Sequence, residues 1–410
     1  MDQLKNINNI EAFTGKLKGK KVFLRSDFNV PVQNGQVEDA YRIQSSVPTL
    51  RFLKQEGAIT IIASHIETAD IDQPTLEPVY AYIQKQYPEF TMSFCKDFLN
   101  MEEYKQAISA TSEGGFVLLE NVRNADQEFM DEKKDDIHLA QYLAQDIDFY
   151  VQDAFAVSHR KHASVSALPR LFDTEHKAAG VLLHKEIVNL AQAMHPNPPV
   201  CITLSGMKFA TKLPLIKKYL QTADIVFVGG ALYNNILKSL GYPVGVSLID
   251  PEASYVDTLV QDPLFKAKVF IPDTVVVKDV ITGEIRETRI QDVKQNESIQ
   301  DIAEISVQNL FNKIRELGIR TLIWNGPVGN YENKAFSKGT NKMALLTYEY
   351  GQNNEGVSVF IGGGDTVAAI QPLIPNFDTK SKNVFVSTGG GAMLEFLEKD
   401  GKLPGVESLM

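Results

Sequence analysis

Basic and polar side chains follow the short apolar runs in the first half of the sequence. Guanidinium groups bind phosphate and carboxylate oxygens through two parallel hydrogen bonds, and imidazole and amide groups add further polar contacts. These residue types therefore suit a small ligand that carries phosphate and carboxylate groups. The set consists of Asp27, Asn29, Arg42, Ser64, His65, Asn121, Arg123, Asp153 and the segment His159-Arg160-Lys161-His162.

The second half of the sequence places glycine clusters at the equivalent points. Glycine loops that open helices present free N–H groups, and the helix dipole adds to their attraction for phosphate. Asp365 beside them could hold Mg²⁺, and Lys208 and Lys212 lie one helical turn apart. A nucleotide in one half and a small anion in the other is a layout for phosphoryl transfer. The clusters are Ser205-Gly206-Met207-Lys208, Gly229-Gly230, Asn325-Gly326-Pro327, Gly362-Gly363-Gly364-Asp365-Thr366 and Ser387-Thr388-Gly389-Gly390-Gly391.

Each of these signals has a structural alternative. A triple glycine also serves tight turns and close helix–strand packing, and Lys208 and Lys212 taken alone fit a solvated helix face. His65 fits a structural hydrogen-bonding role as well as a ligand contact. The spacing of His159 and His162 suits a metal, but no third ligand is evident in the sequence, so a zinc site is disfavoured.

The common nucleotide-binding signatures are missing. The sequence has no G-x-x-x-x-G-K-[ST], no G-x-G-x-x-G after the first apolar run, and no H-R-D or D-F-G segment of the protein-kinase type. The residue types alone therefore predict a two-domain phosphotransferase that uses a Mg²⁺-bound nucleotide and a small phosphorylated acid.

The apolar runs themselves predict the elements that position these residues. Runs that are apolar throughout are typical of strands buried on both faces of a parallel sheet, and their alternation with helical spacing predicts an α/β fold. Ligands bind beyond the carboxyl ends of such strands. Lys21 and Arg25, in the first run, are expected to be surface charges. The runs cover residues 21–25, 58–63, 90–94, 116–119, 149–151, 200–204, 225–228, 269–271, 321–324, 357–361 and 384–386.

A boundary is predicted near residues 176–194, where helical spacing ends at Pro196-Asn197-Pro198-Pro199. Five runs precede it and six follow. We therefore expect two doubly wound, Rossmann-like parallel-sheet domains joined by a helix, with a cleft between them. The expected limits are 1–178 for a substrate domain, 179–195 for the linker helix, 196–394 for a nucleotide-binding domain and 395–410 for a tail that packs back on the N-terminal domain.

Composition narrows the function classes further. The chain has 410 residues, 44% of them hydrophobic and 22% charged, which excludes a disordered protein. The net charge of −10 argues against nucleic acid or an anionic membrane as the partner. Cys95 and Cys201 lie far apart, which excludes a disulfide scaffold and a four-cysteine zinc site. No signal or membrane-spanning segment is evident, and we expect a cytoplasmic monomer.

Ordered motifs along nearly the whole chain resemble phosphoglycerate kinase. In the first half they are Arg25-Ser26-Asp27-Phe28-Asn29-Val30-Pro31, Tyr41-Arg42-Ile43, Glu120-Asn121-Val122-Arg123 and Asp153-Ala154-Phe155 with His159 to Ser164. In the second half they are Lys208 to Lys212, Trp324-Asn325-Gly326-Pro327-Val328-Gly329, Gly362 to Thr366, Ser387 to Ala392 with Leu394-Glu395-Phe396-Leu397, and Leu403-Pro404-Gly405-Val406. The resemblance implies reversible transfer of the acyl phosphate of 1,3-bisphosphoglycerate to ADP with Mg²⁺, in glycolysis or gluconeogenesis, by in-line transfer after hinge closure.

The resemblance also implies roles for matching positions. The 3-phosphoglycerate set would be Asp27, Asn29, Arg42, His65, Arg123 and Arg160. Catalytic contacts to the moving phosphoryl group would come from Arg42, Lys208, Lys212, Gly364 and Gly389. Nucleotide contacts would come from Gly206, Lys208, Lys212, Gly229, Gly230, Asn325, Pro327, Glu332, Gly363, Gly364, Asp365 and Thr366, and Asp365 would hold Mg²⁺.

The chain departs from the family pattern at several points. The family's Ser-His-Leu-Gly-Arg-Pro is Ser64-His65-Ile66-Glu67-Thr68-Ala69 here, which removes an arginine and adds an acid. Gly-Gly-Ala-Lys becomes Ser205-Gly206-Met207-Lys208, an aromatic–His pair becomes Asn124-Ala125, and the Val-Asp of Pro-Val-Asp becomes Asp273-Thr274. These changes leave two alternatives open: a divergent kinase for another acyl phosphate, and a weakly active nucleotide-binding relative.

Overall fold

The computed structural model describes residues 4–68, 74–127, 130–207, 212–251, 255–374 and 383–410. The chain divides into two compact units, Met1–Ala191 with Lys399–Met410, and Gln192–Glu398. Each unit is built around a six-stranded parallel sheet with helices in the connections.

The sheet of the first unit has the strand order β10-β9-β1-β4-β6-β5. Its central strands are buried on both faces because helices cover both sides of the sheet, as their unbroken apolar sequences predict. The strands are β1 (Lys21–Arg25), β4 (Ile59–Ala63), β5 (Met92–Cys95), β6 (Phe116–Leu119), β9 (Phe149–Gln152) and β10 (Lys177–Ala179). Two small hairpins add β2 (Val32–Gln33) with β3 (Gln36–Val37), and β7 (Asp126–Gln127) with β8 (Met130–Asp131).

Two helices of the first unit begin at polar side-chain caps. Asn100 Oδ1 accepts from Glu102 N–H at 3.1 Å, and Asp136 Oδ1 accepts from His138 N–H at 2.8 Å, so each side chain satisfies a free donor at a helix start. The helices of this unit are α1 (Tyr41–Gln55), α2 (Glu77–Gln86), α3 (Met101–Ser109), α4 (Ile137–Leu143) and α5 (Val181–Met194).

The second unit repeats the plan with the order β13-β12-β11-β17-β18-β19. A separate antiparallel sheet, in the order β15-β14-β16, is inserted between β13 and β17. The parallel strands are β11 (Val200–Ser205), β12 (Ile225–Gly229), β13 (Val269–Phe270), β17 (Thr321–Asn325), β18 (Ser358–Gly362) and β19 (Val384–Val386). The antiparallel strands are β14 (Thr274–Asp279), β15 (Ile285–Arg289) and β16 (Glu297–Ile302).

The remaining helices are α6 (Leu213–Thr222), α7 (Ala231–Ser239), α8 (Val256–Leu259), α9 (Pro263–Lys268), α10 (Glu304–Glu316), α11 (Lys338–Asn353), α12 (Gly364–Ile370), α13 (Gly390–Glu398) and α14 (Pro404–Glu407). The segment that carries α14 belongs to the first unit. There Gly405 N–H donates to Ser158 O at 2.8 Å, and Lys177 Nζ donates to Ser408 O at 2.8 Å.

The predicted α/β class with two parallel sheets is confirmed, and each of the eleven predicted runs overlaps a strand of these sheets. The sequence does not predict β10, because Lys177-Ala178-Ala179 consists of helix-forming residue types and continues into the helical spacing that follows. It also does not predict the antiparallel sheet, whose charged edge strand β15 contains no apolar run. The expected cleft between the domains remains a prediction.

Candidate active site

In the first unit, β1 lies between β4 and β9, so the connections that follow neighbouring strands run in opposite directions on the two sides of β1. Parallel sheets bind ligands at such a point, beyond the carboxyl ends of the strands. The segments that follow β1, β4, β6 and β9 all emerge at this edge, and they carry the predicted residues Asp27, Asn29, His65 and Arg123.

Arg42, at the start of α1, is held against the loop that follows β1. Its Nη1 donates to Asn29 O at 2.8 Å and lies 3.5 Å from Asp27 Oδ2. Asp27 is buried, and its Oδ1 accepts from Asn29 N–H at 3.2 Å. The loop and the arginine therefore form one preassembled group, with the Arg42 side chain one-quarter exposed.

Four arginines surround two buried histidines at the same edge. Burial and the charges of Arg25, Arg123 and Arg42 hold the pKa of His65 well below its usual value. Burial and the charges of Arg25, Arg123 and Arg160 lower the pKa of His162 to about 3. Both imidazoles are therefore neutral near pH 7, and the positive charge of the cluster resides on the arginines.

Arg25 belongs to this cluster and is not a surface charge, so that expectation was wrong. Its side chain is fully buried because β1 is covered on both faces and ends in the site. Arg25 Nη2 lies 3.3 Å from His65 Nδ1, and Nε donates to Ser164 Oγ at 2.8 Å. Ser164 Oγ in turn donates to Glu132 Oε1 at 2.6 Å.

Glu132 and Ser164 are functional candidates that the sequence analysis did not identify. Glu132 is completely buried, and burial raises its pKa, although the charge of Arg25 and the bonds from Ser164 oppose part of that rise. Together the two residues form a support behind Arg25. No sequence signal marked Glu132, which lies in an acidic and basic stretch that resembles an exposed loop.

Arg123 lies on a short 3-10 turn, Val122–Asn124, where its N–H donates to Asn121 Oδ1 at 3.2 Å. Its Nη1 pairs with Glu67 Oε1. The Nε atom is buried and has no hydrogen-bond partner in the described part of the chain. Burial, followed by the charge of Arg25, lowers the pKa of Arg123 to about 10, so the guanidinium remains charged at neutral pH.

Arg160 completes the predicted set of the first unit. It is exposed, and its N–H donates to Val157 O at 2.9 Å in the turn after β9. Its charge lowers the pKa of both Arg123 and His162, which places it beside the cluster. All six residues predicted for the small anion are thus at one edge of one sheet.

In the second unit, β11 lies between β12 and β17, which creates the same type of crevice. Lys212 Nζ donates to Asn325 Oδ1 at 2.8 Å. Burial lowers the pKa of Lys212 to about 8, and the nearby Asp365 carboxylate opposes that shift. Asn325 Nδ2 is buried without a hydrogen-bond partner among the described residues, so it is a donor available to a ligand.

Two glycines allow the loops of this crevice to approach one another. Gly230 has φ +65°, and a Cβ there would lie 3.0 Å from Gly206 O. Gly363 has φ +111°, and a Cβ there would lie 2.8 Å from Thr366 Oγ1. Gly229, at the end of β12, is buried beside Ser205 Oγ. The predicted glycines Gly206, Gly229, Gly230 and Gly363 therefore meet at the carboxyl edge of the sheet.

Gly364, Asp365 and Thr366 open α12 directly after β18. A Cβ on Gly364 would meet no atom within 4 Å, and Asp365 is exposed, so both border open space. Thr366 is fully buried, and its Oγ1 accepts from Gly326 N–H at 2.8 Å. Thr366 thus fixes the loop after β17, and its hydroxyl proton remains for a further acceptor.

The other predicted nucleotide residues lie on neighbouring loops. Gly389 N–H donates to Ser387 Oγ at 3.2 Å, just before α13, and Pro327 is half-buried. Glu332 is exposed. Burial, Asp365 and Glu332 raise the pKa of Tyr331 to about 12, which places this additional residue in the same neighbourhood. Lys208 lies outside the described residues.

No group of three or more His, Cys, Asp or Glu side chains that could hold a metal occurs in the part of the chain that the structure describes. None of the helices among these residues combines the length and the hydropathy that a membrane span requires.

Comparisons with known proteins agree with this architecture. A sequence model of the phosphoglycerate kinase family matches residues 10–400. Phosphoglycerate kinase of Bdellovibrio bacteriovorus is 34% identical over 424 aligned positions, covering 99% of this chain and 98% of the relative, and that of Sulfurimonas denitrificans is 35% identical, covering 100% and 99%. The solved structure of phosphoglycerate kinase from Coxiella burnetii is 30% identical, with a TM-score of 0.77 over 98% of both chains. The chain therefore belongs to the phosphoglycerate kinase family.

Proposed function

We propose that this chain transfers the acyl phosphate of 1,3-bisphosphoglycerate to ADP, reversibly, as a step of glycolysis and gluconeogenesis. Membership of the phosphoglycerate kinase family along nearly the whole chain is the observation that carries the proposal. The two crevices supply groups that suit the two substrates: an arginine cluster for a small phosphorylated acid, and glycine loops with a lysine for a nucleotide.

We infer that the arginine cluster binds 3-phosphoglycerate and 1,3-bisphosphoglycerate. Arg42, Arg123 and Arg160 are the cations with solvent access, whereas Arg25 is buried behind them. Asn29 and Asp27 fix the position of Arg42, and Asp27 partly balances its charge. Neutral His65 can donate one hydrogen bond to a substrate oxygen without adding a further charge to the cluster.

We infer that the second crevice binds ATP and ADP. Asn325 Nδ2 is a buried donor and the Lys212 ammonium a half-buried donor for phosphate oxygens. The open space at Gly364 provides room for a phosphate chain beside the backbone. Glu332 is proposed for the ribose, and Gly206, Gly229, Gly230, Pro327 and Gly389 for the walls of the site. Lys208 is proposed to contact the moving phosphate.

Mg²⁺ is expected to accompany the nucleotide. The exposed Asp365 carboxylate beside the open space fits a hard cation, and the lack of a larger acidic group in the described residues fits a cation whose other ligands are phosphate oxygens and water. Bound there, Mg²⁺ would neutralise part of the phosphate charge. The chain's own contribution is to orient that cation through Asp365.

The proposed transfer needs no covalent intermediate with the protein. A terminal oxygen of ADP forms a bond to the acyl phosphorus, the bond from phosphorus to the carboxyl oxygen breaks, and the 3-phosphoglycerate carboxylate leaves with that electron pair. Lys212, Lys208 and Arg42 are proposed to stabilise the charge on the phosphoryl oxygens during this exchange. In-line transfer requires the two half-sites to meet during turnover, with exclusion of water that would hydrolyse the acyl phosphate.

A coupled steady-state assay tests the proposal. ADP formation from Mg²⁺-ATP should require 3-phosphoglycerate and should not occur with acetate or glycerate at the same concentration. Turnover with another carboxylic acid but not with 3-phosphoglycerate would identify a divergent kinase. ADP and ATP binding in calorimetry without turnover would identify a nucleotide-binding relative.

We also propose that the chain acts in the cytoplasm and that it acts as a monomer. A monomer suffices because each unit of a single chain carries one half-site. Sedimentation of the purified protein, with and without nucleotide, should give a single species of the mass expected for one chain. A stable dimer would contradict this part of the proposal.

A further inference from the structure

We propose that Glu67 is an internal competitor for the substrate: its carboxylate pairs with the Arg123 guanidinium, and an anionic ligand must displace it. This inference rests on the proposed function for the identity of the substrate. Glu67 departs from the family pattern, and the proposed effect of this departure is a lower affinity of the site for 3-phosphoglycerate.

The first observation is that the pair is built into the fold. Asn121 connects Arg123 to Ile66, the residue before Glu67: its Oδ1 accepts from Ile66 N–H at 3.3 Å and from Arg123 N–H at 3.2 Å, and its Nδ2 donates to Ile66 O at 2.9 Å. Glu67 N–H also donates to Asn29 Oδ1 at 2.9 Å. The backbone on both sides of the pair is therefore fixed, and Glu67 is held beside Arg123 at the solvent-exposed side of the arginine cluster.

The second observation is that the two partners differ in exposure. The Arg123 side chain is 12% exposed, whereas that of Glu67 is 64% exposed. A mostly exposed carboxylate can rotate into solvent with little loss, because exposed ion pairs contribute little free energy. The arginine remains in place. The pair therefore opens by movement of Glu67.

The third observation is that Arg123 is not satisfied by Glu67 alone. Its buried Nε has no hydrogen-bond partner among the described residues. The cations Arg25 and Arg160 lie nearby, together with the carboxylates of Glu132 and Asp27. A phosphate group carries more charge than one carboxylate and has three acceptor oxygens, so it can use donors that Glu67 leaves free. We therefore expect the substrate to displace Glu67 from Arg123 and to bind with lower affinity than it would if the Glu67 carboxylate were absent.

Glu67→Gln removes the competing charge and retains the size of the side chain. The dissociation constants of inorganic phosphate and of 3-phosphoglycerate, measured by calorimetry without nucleotide, should each fall about twofold to fivefold. The affinity for ADP should not change. The difference from the wild type should diminish as salt is raised, because Glu67 is exposed and therefore screened.

Two further variants isolate the cause. Glu77→Gln makes the same change of charge in the first unit, at an exposed residue that pairs with Lys96 at 3.3 Å, and should leave both constants unchanged. In an Arg123→Met background, Glu67→Gln should no longer tighten binding, because the guanidinium for which it competes is gone.

Equal or weaker anion binding by Glu67→Gln would overturn the proposal. The same increase in anion affinity in Glu77→Gln, or an increase that persists in the Arg123→Met background, would also overturn it. Either result would mean that the net charge of the unit, and not competition for Arg123, causes the effect. A failure to bind phosphate in both wild type and variant would contradict the anion site itself. Absence of turnover with 3-phosphoglycerate would count against the proposed function, while the phosphate titrations would still decide the role of Glu67.

Discussion

Lys212 and Asn325 are 113 positions apart in sequence and are joined by a hydrogen bond of 2.8 Å from Nζ to Oδ1. This bond links the segment after β11 to the end of β17, the two strands that border the crevice of the second unit. It orients the Asn325 amide so that Nδ2 remains a buried, unpartnered donor among the described residues. The pair therefore positions two hydrogen-bond donors for phosphate, Lys212 Nζ and Asn325 Nδ2, before a nucleotide binds.

Lys212→Met should lower kcat by about 100-fold to 1,000-fold, the effect typical of removing one donor to developing charge. An interaction made mainly in the transition state should reduce kcat and kcat/KM together, while ADP affinity changes much less. Steady-state kinetics and ADP calorimetry check both parts. Lys217→Met changes an exposed lysine on α6, the helix that Lys212 directly precedes; it is the control and should retain wild-type kinetics. Wild-type turnover in Lys212→Met would show that its charge is not used.

Gly363 and Gly364 should respond oppositely to substitution by alanine. Gly363→Ala should lower the free energy of unfolding by about 1–3 kcal/mol, because φ is +111° and the new Cβ would meet Thr366 Oγ1. Gly364→Ala should leave stability unchanged or raise it by up to about 1 kcal/mol. It should also weaken ADP binding by about tenfold, or ~1.4 kcal/mol, because the methyl group occupies ligand space. Unaltered ADP affinity in Gly364→Ala would place the phosphate chain elsewhere.

These two neighbouring glycines illustrate what the sequence could predict. The triple glycine after an apolar run indicated a ligand loop, because parallel strands bring such segments to one edge of a sheet. The pattern could not distinguish a glycine needed for backbone conformation from one that leaves room for a ligand. That difference depends on φ and on Thr366, whose hydroxyl oxygen accepts from Gly326 N–H in the neighbouring loop after β17.

The same limit explains the error at Arg25. A charged residue at the end of an apolar run is usually exposed, and no local pattern marks Ser164 or Glu132 as its buried partners. Their pairing depends on segments more than a hundred residues apart. The sequence likewise does not predict the pair between Glu67 and Arg123, although Glu67 itself is a departure from the family pattern.

Asp365→Asn should remove most of the dependence of ADP affinity on Mg²⁺, because an amide oxygen holds a hard cation less well than a carboxylate. Calorimetric titrations of ADP with and without Mg²⁺ measure this linkage directly. Glu332→Gln makes the same change of charge nearby and should retain the Mg²⁺ dependence. If Asp365→Asn preserves the full linkage, the ligand lies at another residue.

Asp153 should make stability depend on pH. Its Oδ1 accepts from Leu182 N–H at 2.9 Å and Leu183 N–H at 3.2 Å at the start of α5, yet burial raises its pKa to about 7 from an ordinary value of 3.8. The folded state therefore binds this proton more tightly than the unfolded state. Its contribution is fully present below about pH 4 and is lost as pH rises towards 7.

Asp153→Asn keeps an acceptor for the helix start but cannot titrate. The free energy of unfolding of the variant should therefore rise relative to that of the wild type between pH 4 and 7, by at most about 1.4 kcal/mol per pH unit. Urea denaturation at several pH values measures the difference. A difference in the free energy of unfolding between the two proteins that stays constant from pH 4 to 7 would contradict the raised pKa.

The most direct test of the central proposal is detection of the acyl phosphate itself. The protein is incubated with 3-phosphoglycerate, Mg²⁺-ATP and hydroxylamine, which converts an acyl phosphate to a hydroxamate. We predict one hydroxamate for each ADP formed, and no hydroxamate when 3-phosphoglycerate or Mg²⁺ is omitted. ADP formation accompanied only by inorganic phosphate, at the same rate without 3-phosphoglycerate, would contradict the proposal that this chain transfers a phosphoryl group to a carboxylate.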